Sequence, residues 1–470
     1  MGKHKLGIVA DAGCPTGFAT VTHGIAGILQ DSGEYEIEIV AINYDGRPNE
    51  WSKRFKLWPA RLGGDFLGVG ILPEFLEQTK PDSLLLFQDF WNISLYVGAA
   101  GDREGMVAYY PVDSPNIKGQ YMIPLAVLPA MICYTKFGVE ESCRAAKECW
   151  AKVKEQALVN KLDVITTFGA SVGAGFDPIS RMAIPARSIS VPAHRLYQLR
   201  NPESYNIIPH GIDMQAFKPL SRKGSRKMLS LPIDKFIIGN VNRNQSRKRL
   251  DLCIRAFAEF AKTRNDAILI LHCVKTDGQG WDLEQLADYY GVSDKVIFTH
   301  SIFKDAMATV DQLNLLYNSL DIQINTGGGE GWGLTTFEGA AVRVPQVVPD
   351  WSATKEIWEG SGVLLKVQTV RHEPGMINTM QASIDTNHLV EVLSELYESP
   401  QKREEIGEKC FQVINRPEYR WEEVGKKFDK VFKETAGKKP PALPVAVTTK
   451  GIEEIKRFNS GGKIKMSSSK

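Results

Sequence analysis

The feature that most constrains the fold of this chain is a regular alternation of short apolar runs, in two series, with longer segments of helical character. The first series contains LGIVA from Leu6, IEIVAI from Ile37, SLLLF from Ser83, MVAYY from Met106 and MICYT from Met131. The second contains FIIGN from Phe236, AILILHC from Ala267, KVIFT from Lys295, DIQIN from Asp321 and PQVVP from Pro345, with the clearest helical pattern from Leu250 to Ala261. Apolar strands separated by helices are typical of parallel sheets covered on both faces. Two series therefore predict an α/β protein with two doubly wound domains.

The point where the two series meet predicts how the 470 residues divide into domains. A stretch beginning IIPHGIDMQAFKP turns from a strand into a connector rich in Pro, Gly and Lys. Near the end of the chain, Trp421, Val424, Phe428 and Val431 share one helical face. The sequence therefore predicts a first domain over residues 1–205, a second over 206–415, a terminal helix over 416–436 and a disordered basic tail over 437–470.

The composition excludes several classes of protein. The net charge of +2 gives no argument for binding to nucleic acid. The seven cysteines form no Cys-x-x-Cys pair, so we expect reduced thiols rather than a disulfide framework or a zinc site. No apolar run reaches about 18 residues and no secretory signal is evident, so we expect a cytoplasmic protein without a transmembrane segment. The basic tail leaves a peripheral membrane contact open, with a simple solvated tail as the alternative.

The most informative segment is INTGGGEGWGLTTFEGAA, which predicts a strand, a Gly-rich turn and the start of a helix. The strand ends at Asn325, Glu330 lies in the turn, and Glu338 lies about one turn into the helix. Free backbone N–H groups at a helix start form an anion site, and glycines let a ligand approach the backbone closely. The carboxylates suit hydroxyl groups rather than a phosphate. The segment therefore predicts a sugar nucleotide site, the alternative being two ordinary surface carboxylates beside a turn.

The spacing of Glu330 and Glu338 in this setting resembles that of the family 4 retaining glycosyltransferases of the GT-B fold, the glycosyl transferases of group 1. The resemblance implies two Rossmann-like domains facing each other across a deep cleft, with the terminal helix crossing back to the first domain. It implies that Glu330 contacts hydroxyls of the transferred sugar and that Glu338 contacts the nucleotide ribose. It further implies that the sugar and the diphosphate are contacted through the backbone of Gly331, Trp332, Gly333 and Leu334.

A basic loop, GNVNRNQSRKRLD, follows a predicted strand and precedes a helix. The resemblance implies that Arg243 and Lys248 in this loop hold the diphosphate, which makes them, with Glu330, the predicted catalytic set. Fixed cations stabilise the negative charge that the diphosphate gains as it leaves. A solvated basic turn is the alternative, and which of the basic residues points inward stays open, because Arg247 and Arg249 are neighbours.

Three polar or Gly-containing loops of the first domain provide further cleft candidates. The loop DAGCPTGFAT resembles the family's loop that faces the diphosphate, with Gly17 as a donor-site residue and Thr16 as a cleft hydroxyl. FQDFWN and YYPVDSP end two strands and supply Asp89 and Asp113. Many members of the family have a His near the second position, and Asp113 is its predicted stand-in, with a helix cap as the alternative use of either Asp. His210 and Asp213 are expected to be structural residues of a linker turn.

The resemblance also implies the reaction. A sugar would move from a nucleoside diphosphate donor to an acceptor hydroxyl with retained configuration, without a metal or another cofactor. No Asp-x-Asp pair occurs in the chain, which removes the usual metal clamp of the other major glycosyltransferase fold. The acceptor is left open among a glycan, a lipid, a protein and a small molecule. Two rival functions also stay open, namely a sugar-nucleotide 2-epimerase type of isomerase and a non-catalytic protein that binds sugar nucleotides or glycans.

Overall fold

The first domain is built around a parallel sheet of seven strands. The computed structural model describes residues 2–61, 65–101, 103–159, 163–168, 187–303, 308–373 and 377–439. The strands up to the linker are β1 (His4–Asp11), β2 (Tyr35–Ile42), β3 (Lys56–Pro59), β4 (Ser83–Phe87), β5 (Met106–Tyr110), β6 (Ala130–Cys133), β7 (Asp163–Phe168), β8 (Arg187–Pro192) and β9 (Asn206–Ile207). The helices are α1 (Gly17–Asp31), α2 (Leu72–Thr79), α3 (Phe90–Ala100), α4 (Met122–Leu125), α5 (Lys136–Val159) and α6 (Ala193–Gln198), with 3-10 turns at Trp51–Lys53, Gly119–Tyr121 and Pro202–Ser204.

The strand order of this sheet is β3-β2-β1-β4-β5-β6-β9, while β7 and β8 pair antiparallel with each other. All five predicted strands of the first series are present, as β1, β2, β4, β5 and β6. The strands β4, β5 and β6 are buried along their whole length, which explains their uninterrupted apolar sequences. The short strand β9 pairs with β6 and so belongs to the first domain. The domain boundary predicted after residue 205 is therefore too early by at least the two residues of β9.

The second domain contains a parallel sheet of six strands in the order β12-β11-β10-β13-β14-β15. Its strands are β10 (Phe236–Val241), β11 (Ala267–His272), β12 (Val296–Phe298), β13 (Ile322–Ile324), β14 (Gln346–Pro349) and β15 (Val363–Leu365), followed by the antiparallel hairpin β16 (Val367–His372) and β17 (Met380–Ile384). Its helices are α7 (Arg222–Met228), α8 (Leu250–Ala261), α9 (Leu283–Tyr289), α10 (Val310–Ser319), α11 (Leu334–Ala341), α12 (Ser352–Trp358), α13 (Thr386–Glu398) and α14 (Pro400–Ile414), with 3-10 turns at Ser246–Lys248, Ser293–Lys295 and Thr299–Ser301. The five predicted strands of the second series are present as β10 to β14, and α8 has the predicted bounds.

Each sheet reverses its strand order at its first strand. In the first domain β1 lies between β2 and β4, and in the second β10 lies between β11 and β13. Ligands of open α/β sheets bind outside the carboxyl ends of the strands at such a reversal. The two points are brought together across the cleft, because Gly17 of α1 lies against Leu334 of α11.

The last helix, α15 (Trp421–Thr435), follows a 3-10 turn at Pro417–Tyr419 and lies against the first domain. Gly24 of α1 allows α15 to pack closely against the first domain, since a Cβ on Gly24 would lie 2.3 Å from the ring of Trp421. The Tyr35 hydroxyl donates a hydrogen bond of 2.6 Å to Asp429. Residues 440–470 of the predicted tail lie outside the described residues.

Phe428→Ala is expected to lower the free energy of unfolding by about 3–5 kcal/mol. Phe428 is fully buried, and its ring centroid lies 5.1 Å from that of Tyr109 on β5, so truncation leaves a cavity between the helix and the first domain. Urea unfolding followed by tryptophan fluorescence measures the change. Lys430→Ala on the exposed face of the same helix is the control, and we expect it to alter stability by less than about 0.5 kcal/mol. Equal effects of the two variants would contradict this view of α15.

Candidate functional site

Glu330 lies in the Gly-rich turn after β13 and is the centre of a charged cluster. Its carboxylate forms an ion pair with the Lys248 ammonium, and its other oxygen lies 3.5 Å from Arg247. Asn325 donates a further hydrogen bond of 3.3 Å. Burial alone would raise the pKa of Glu330, but Lys248 and Arg247 outweigh it and hold the pKa below its ordinary value. Glu330 is therefore an ionised carboxylate beside two cations.

The basic loop after β10 orients its cations in different directions. Lys248 is buried and faces Glu330, and Arg247 extends between Glu330 and Asp113 of the first domain. Arg249 points elsewhere and pairs with Asp251 at 2.9 Å. Arg243 is exposed and forms no ion pair with any residue that the structure describes, yet its charge opposes the rise in the pKa of Asp11 that burial causes. Three cations, Arg243, Arg247 and Lys248, therefore line the cleft.

The turn that holds Glu330 leads directly into α11. Gly333 precedes the helix with a φ of 98°, in the left-handed region that favours glycine, and no side chain caps the helix start. The Thr336 N–H donates to the Gly333 carbonyl at 3.0 Å, which leaves the N–H groups of Leu334 and Thr335 for an anion at the cleft. Gly331 is packed against Pro111 of the first domain, where an added Cβ would lie 2.7 Å from that side chain, so the backbone contacts expected for residues 331–334 stay a prediction.

Glu338 lies on α11, where Tyr317 of α10 donates a hydrogen bond of 2.5 Å to its carboxyl group. Burial raises the pKa of Glu338 to about 7, and the Tyr317 hydrogen bond opposes the shift only in part. The pKa values of Glu338 and Glu330 are thus shifted in opposite directions although the two residues are on the same turn and helix. Glu330 is held ionised by cations, whereas Glu338 has no cation beside it within the described part of the chain.

The Glu338→Gln variant is expected to become more stable relative to the wild type as the pH rises. The raised pKa of about 7 means that the folded protein keeps the proton of Glu338 at pH values where an unfolded carboxyl, with a pKa near 4.5, has lost it. Stability is therefore lost as the pH rises from about 4.5 to 7, and a neutral Gln escapes this loss. Thermal unfolding between pH 4 and 8 should show the Tm of the variant gaining on that of the wild type in this window. A constant difference in Tm would contradict the assignment.

Two first-domain carboxylates face the charged cluster. Asp113 lies 3.5 Å from Arg247 and packs against Gly331 of the Gly-rich turn. Burial raises the pKa of Asp89 to about 7, and Asp113 adds to the shift while Arg247 opposes it. Asp89 holds the N-cap position of α3, but its side chain makes no capping hydrogen bond. The helix-cap alternative therefore fails for Asp89, and both carboxylates are oriented toward the cleft cations.

The loop after β1 uses its polar groups differently from the sequence-based expectation. The Thr16 hydroxyl donates to Asp11 at 2.8 Å and accepts from the Ala19 N–H at 3.1 Å, so it caps α1. It is a structural group of the first domain rather than a free cleft hydroxyl. Gly17 lies at the cleft, where an added Cβ would be 3.3 Å from Leu334.

Trp332 and His210 belong to an aromatic cluster beneath the cleft. Trp332 is buried, with its ring centroid 5.3 Å from His210 and 4.7 Å from Phe337. His210 is hydrogen-bonded to the Tyr109 hydroxyl at 2.7 Å, and burial lowers its pKa to about 3. His210 is thus a neutral structural residue, as expected, and Asp213 caps the following turn by accepting from the Gln215 N–H at 2.8 Å.

Arg247 and Asp11 were not among the predicted site residues. Arg247 was one of several basic residues in a loop without a regular period, and the direction of its side chain depends on the 3-10 turn at Ser246–Lys248. Asp11 ends β1 at the reversal of strand order, so its position gave a signal that the sequence reasoning did not use. Within the described residues no group of three or more His, Cys, Asp and Glu side chains could hold a metal ion. None of the described helices has the length and apolar character needed to cross a membrane.

Comparison with known sequences finds a family match within the second domain. Residues 235–378 match the family of glycosyl transferases group 1. The matched residues lie entirely within the second domain. D-inositol 3-phosphate glycosyltransferase of Mycolicibacterium smegmatis is 30% identical over 161 residues, 33% of this chain and 35% of that protein. The enzyme of the same name from Mycolicibacterium paratuberculosis is 26% identical over 204 residues, 43% of this chain and 41% of that protein. The chain thus matches these curated relatives over less than half of their length.

Solved structures share the whole two-domain architecture. Sucrose-phosphate synthase from Thermosynechococcus elongatus superposes with a TM-score of 0.63 at 13% identity, covering 92% of this chain and 99% of that one. HepE of Anabaena in complex with UDP-glucose superposes with a TM-score of 0.59 at 13% identity, with the same coverage. Similarity at this level of identity shows the fold alone. The predicted GT-B fold is confirmed.

Proposed function

We propose that this chain is a retaining, metal-independent glycosyltransferase that moves a hexose-type sugar from a nucleoside diphosphate to an acceptor hydroxyl. The observation that carries the proposal is the cluster of Lys248 and Arg247 around Glu330, at the Gly-rich turn that opens α11. Anion-binding groups and a hydroxyl-binding carboxylate lie next to each other there, as a sugar diphosphate requires. The complex of HepE with UDP-glucose makes UDP-glucose the first donor to test.

The diphosphate would lie between the start of α11 and the cations of the basic loop. Arg243 is free to meet it, and Lys248 can turn from Glu330 toward it when the donor enters. Glu330 then accepts hydrogen bonds from sugar hydroxyls, while Glu338 accepts them from the ribose. The cations stabilise the charge that develops on the leaving diphosphate, a role that metal ions have in other transferases. Their presence supports a reaction without a metal.

We infer retention of configuration from the resemblance of the Gly-rich turn and its two glutamates to the retaining glycosyltransferases of the GT-B fold. The bond from the anomeric carbon to the phosphate oxygen breaks, and the bond to the acceptor oxygen forms on the same face of the sugar. The proton of the acceptor hydroxyl passes to the leaving phosphate oxygen, so no enzymatic base is required. Asp89 and Asp113, on the first-domain side of the cleft, are proposed to orient the acceptor by accepting hydrogen bonds from its hydroxyls.

A donor and acceptor screen tests this function. Purified protein is incubated with UDP-, GDP- and ADP-linked hexoses and one acceptor from each class, namely a glycan, a lipid, a protein and a small polyol. Release of nucleoside diphosphate that is equal in EDTA and in Mg²⁺ is the expected result, and an α-configured product from an α-linked donor, seen by NMR, establishes retention. An isomerised donor without any release would favour the epimerase. Donor binding without turnover across all acceptors would favour a binding protein.

A further inference from the structure

A loop of the first domain, Asp113–Asn116, is fastened to the second domain by hydrogen bonds. The Met380 N–H at the start of β17 donates to the Pro115 carbonyl at 2.9 Å. The Asn116 amide donates to the Asn378 carbonyl at 2.9 Å, and the Gln381 amide donates to the Ser114 hydroxyl at 3.4 Å. We call this loop the strap. It connects the carboxyl end of β5 to the hairpin of β16 and β17.

The strap lies directly on the Gly-rich turn. A Cβ on Gly329 would lie 2.0 Å from the Ser114 hydroxyl and 2.5 Å from the Asp113 carbonyl oxygen. A Cβ on Gly331 would lie 2.9 Å from the Asp113 carboxylate. Real Cβ atoms do not approach other atoms this closely, so the glycines permit the contact. The turn proposed to bind the donor is therefore covered by the first domain.

The Asp113 carboxylate contacts groups that an anionic donor would also need in order to bind. It lies 3.5 Å from the Arg247 guanidinium and packs against Gly331, whose backbone N–H opposes the rise in the pKa of Asp113 that burial causes. A cation and a backbone N–H beside a Gly-rich turn are the usual partners of a phosphate or of a sugar oxygen. A carboxylate in this position carries the same type of charge as the ligand and lies beside the same cation and the same Gly-rich turn.

We propose that Asp113 competes internally with the donor, so that a nucleoside diphosphate must displace the Asp113 carboxylate from Arg247 and Gly331 in order to bind. This inference rests on the proposed function. Asp113 then sets the affinity for the donor, because the apparent dissociation constant rises as the binding-competent fraction falls.

Calorimetric titration of Asp113→Asn and Asp113→Ala with UDP, GDP and ADP tests the proposal. The nucleotide that binds the wild type should bind both variants about three- to tenfold more tightly, since each loses an ion pair that opposes binding. Asp251→Asn is the matched control, because it also removes one carboxylate beside the basic loop, but one that pairs with Arg249 at 2.9 Å rather than with Arg247. Its affinity should change less than twofold.

The outcomes separate this inference from the proposed function. Tighter binding by both Asp113 variants and not by the control supports internal competition. Weaker or unchanged binding by the Asp113 variants, with a wild type that binds normally, overturns the competition and leaves the transferase proposal intact. An equal gain in all three variants also overturns it, because general charge repulsion would then be the cause. If neither the wild type nor any variant binds a nucleotide, both proposals fail.

Discussion

Lys248→Ala is expected to lower the turnover of donor by about 100- to 1,000-fold, the usual effect of removing one group that stabilises developing negative charge. The Lys248 ammonium is buried in the cleft, and burial and the neighbouring Arg247 lower its pKa while Glu330 opposes the shift. No water can replace the cation at low cost in such a place. Steady-state release of nucleoside diphosphate measures the effect on kcat.

The same substitution is expected to destabilise the fold. It leaves the Glu330 carboxylate buried without its closest partner, which costs about 3 kcal/mol, and the pKa of Glu330 should rise toward or above its ordinary value. Urea unfolding at pH 7 checks the stability, and the assay is run at a temperature at which the variant is fully folded. Lys262→Ala, at an exposed pair with Glu259, is the control and should leave turnover unchanged and stability within about 1 kcal/mol. Full turnover by folded Lys248→Ala would remove Lys248 from the catalytic set.

Glu330→Gln is expected to lower kcat/KM by about 10- to 100-fold, because hydrogen bonds from sugar hydroxyls to a charged acceptor are worth about 1.5–3 kcal/mol. The variant keeps the shape of the side chain and one oxygen acceptor, so the loss reports the charge rather than a cavity. Its ion pairs with Lys248 and Arg247 also disappear. Donor-dependent turnover is the measurement, with the nucleoside diphosphate alone as a second ligand.

Affinity for the nucleoside diphosphate alone should not fall in Glu330→Gln, because the lost carboxylate is assigned to the sugar. Asp251→Asn is the matched control, since Asp251 also pairs with an Arg of the same loop region but lies on the first turn of α8. It should retain normal kcat/KM. Equal losses in both variants would indicate a structural effect of ion pairs near the loop, and a loss of diphosphate affinity would contradict the role given to Glu330.

The pH dependence of stability should differ between Glu330→Gln and the wild type. The folded-state pKa of Glu330 is lowered, so the carboxylate contributes stability above the pKa of the unfolded chain, and that stability is lost as the pH falls through the folded pKa. The stability advantage of the wild type over Glu330→Gln should therefore be largest near neutral pH and should shrink as the pH falls. As the pH rises, Glu330→Gln becomes less stable relative to the wild type, whereas Glu338→Gln becomes more stable relative to it. One set of unfolding experiments therefore distinguishes the two glutamates.

The sequence predicted the elements whose physical signal is local. Fully buried strands such as β5 and β6 have uninterrupted apolar runs, and α8 has a clean apolar face. The hairpin of β16 and β17 was missed, because β16 is largely exposed and so lacks the apolar run that marks a buried strand. The strand β9 includes Ile207, where the sequence predicted the end of a strand, although β9 is only two residues long and exposed.

The candidate site was predictable in its type but not in its geometry. The Gly-rich turn and its glutamates were visible in the sequence, because glycines and carboxylates at a strand-to-helix junction have few structural uses. The direction in which each basic side chain points was not predictable from the sequence. Arg249 adopts a left-handed φ of 50° that turns its side chain away, while Arg247 and Lys248 face Glu330. Contacts between domains, such as that of Asp113 with Arg247, depend on tertiary structure that no local pattern encodes.

The central claim is that the cleft between the two domains binds a sugar nucleotide through Lys248 and Glu330. Isothermal titration of UDP-, GDP- and ADP-linked hexoses into the wild type, Lys248→Ala and Glu330→Ala tests it most directly, in EDTA and with Lys262→Ala as the control. The account predicts that one donor binds the wild type and the control with 1:1 stoichiometry, and that each site variant binds it at least tenfold more weakly. Equal affinity in all four proteins, or no binding of any donor to the wild type, would contradict the account.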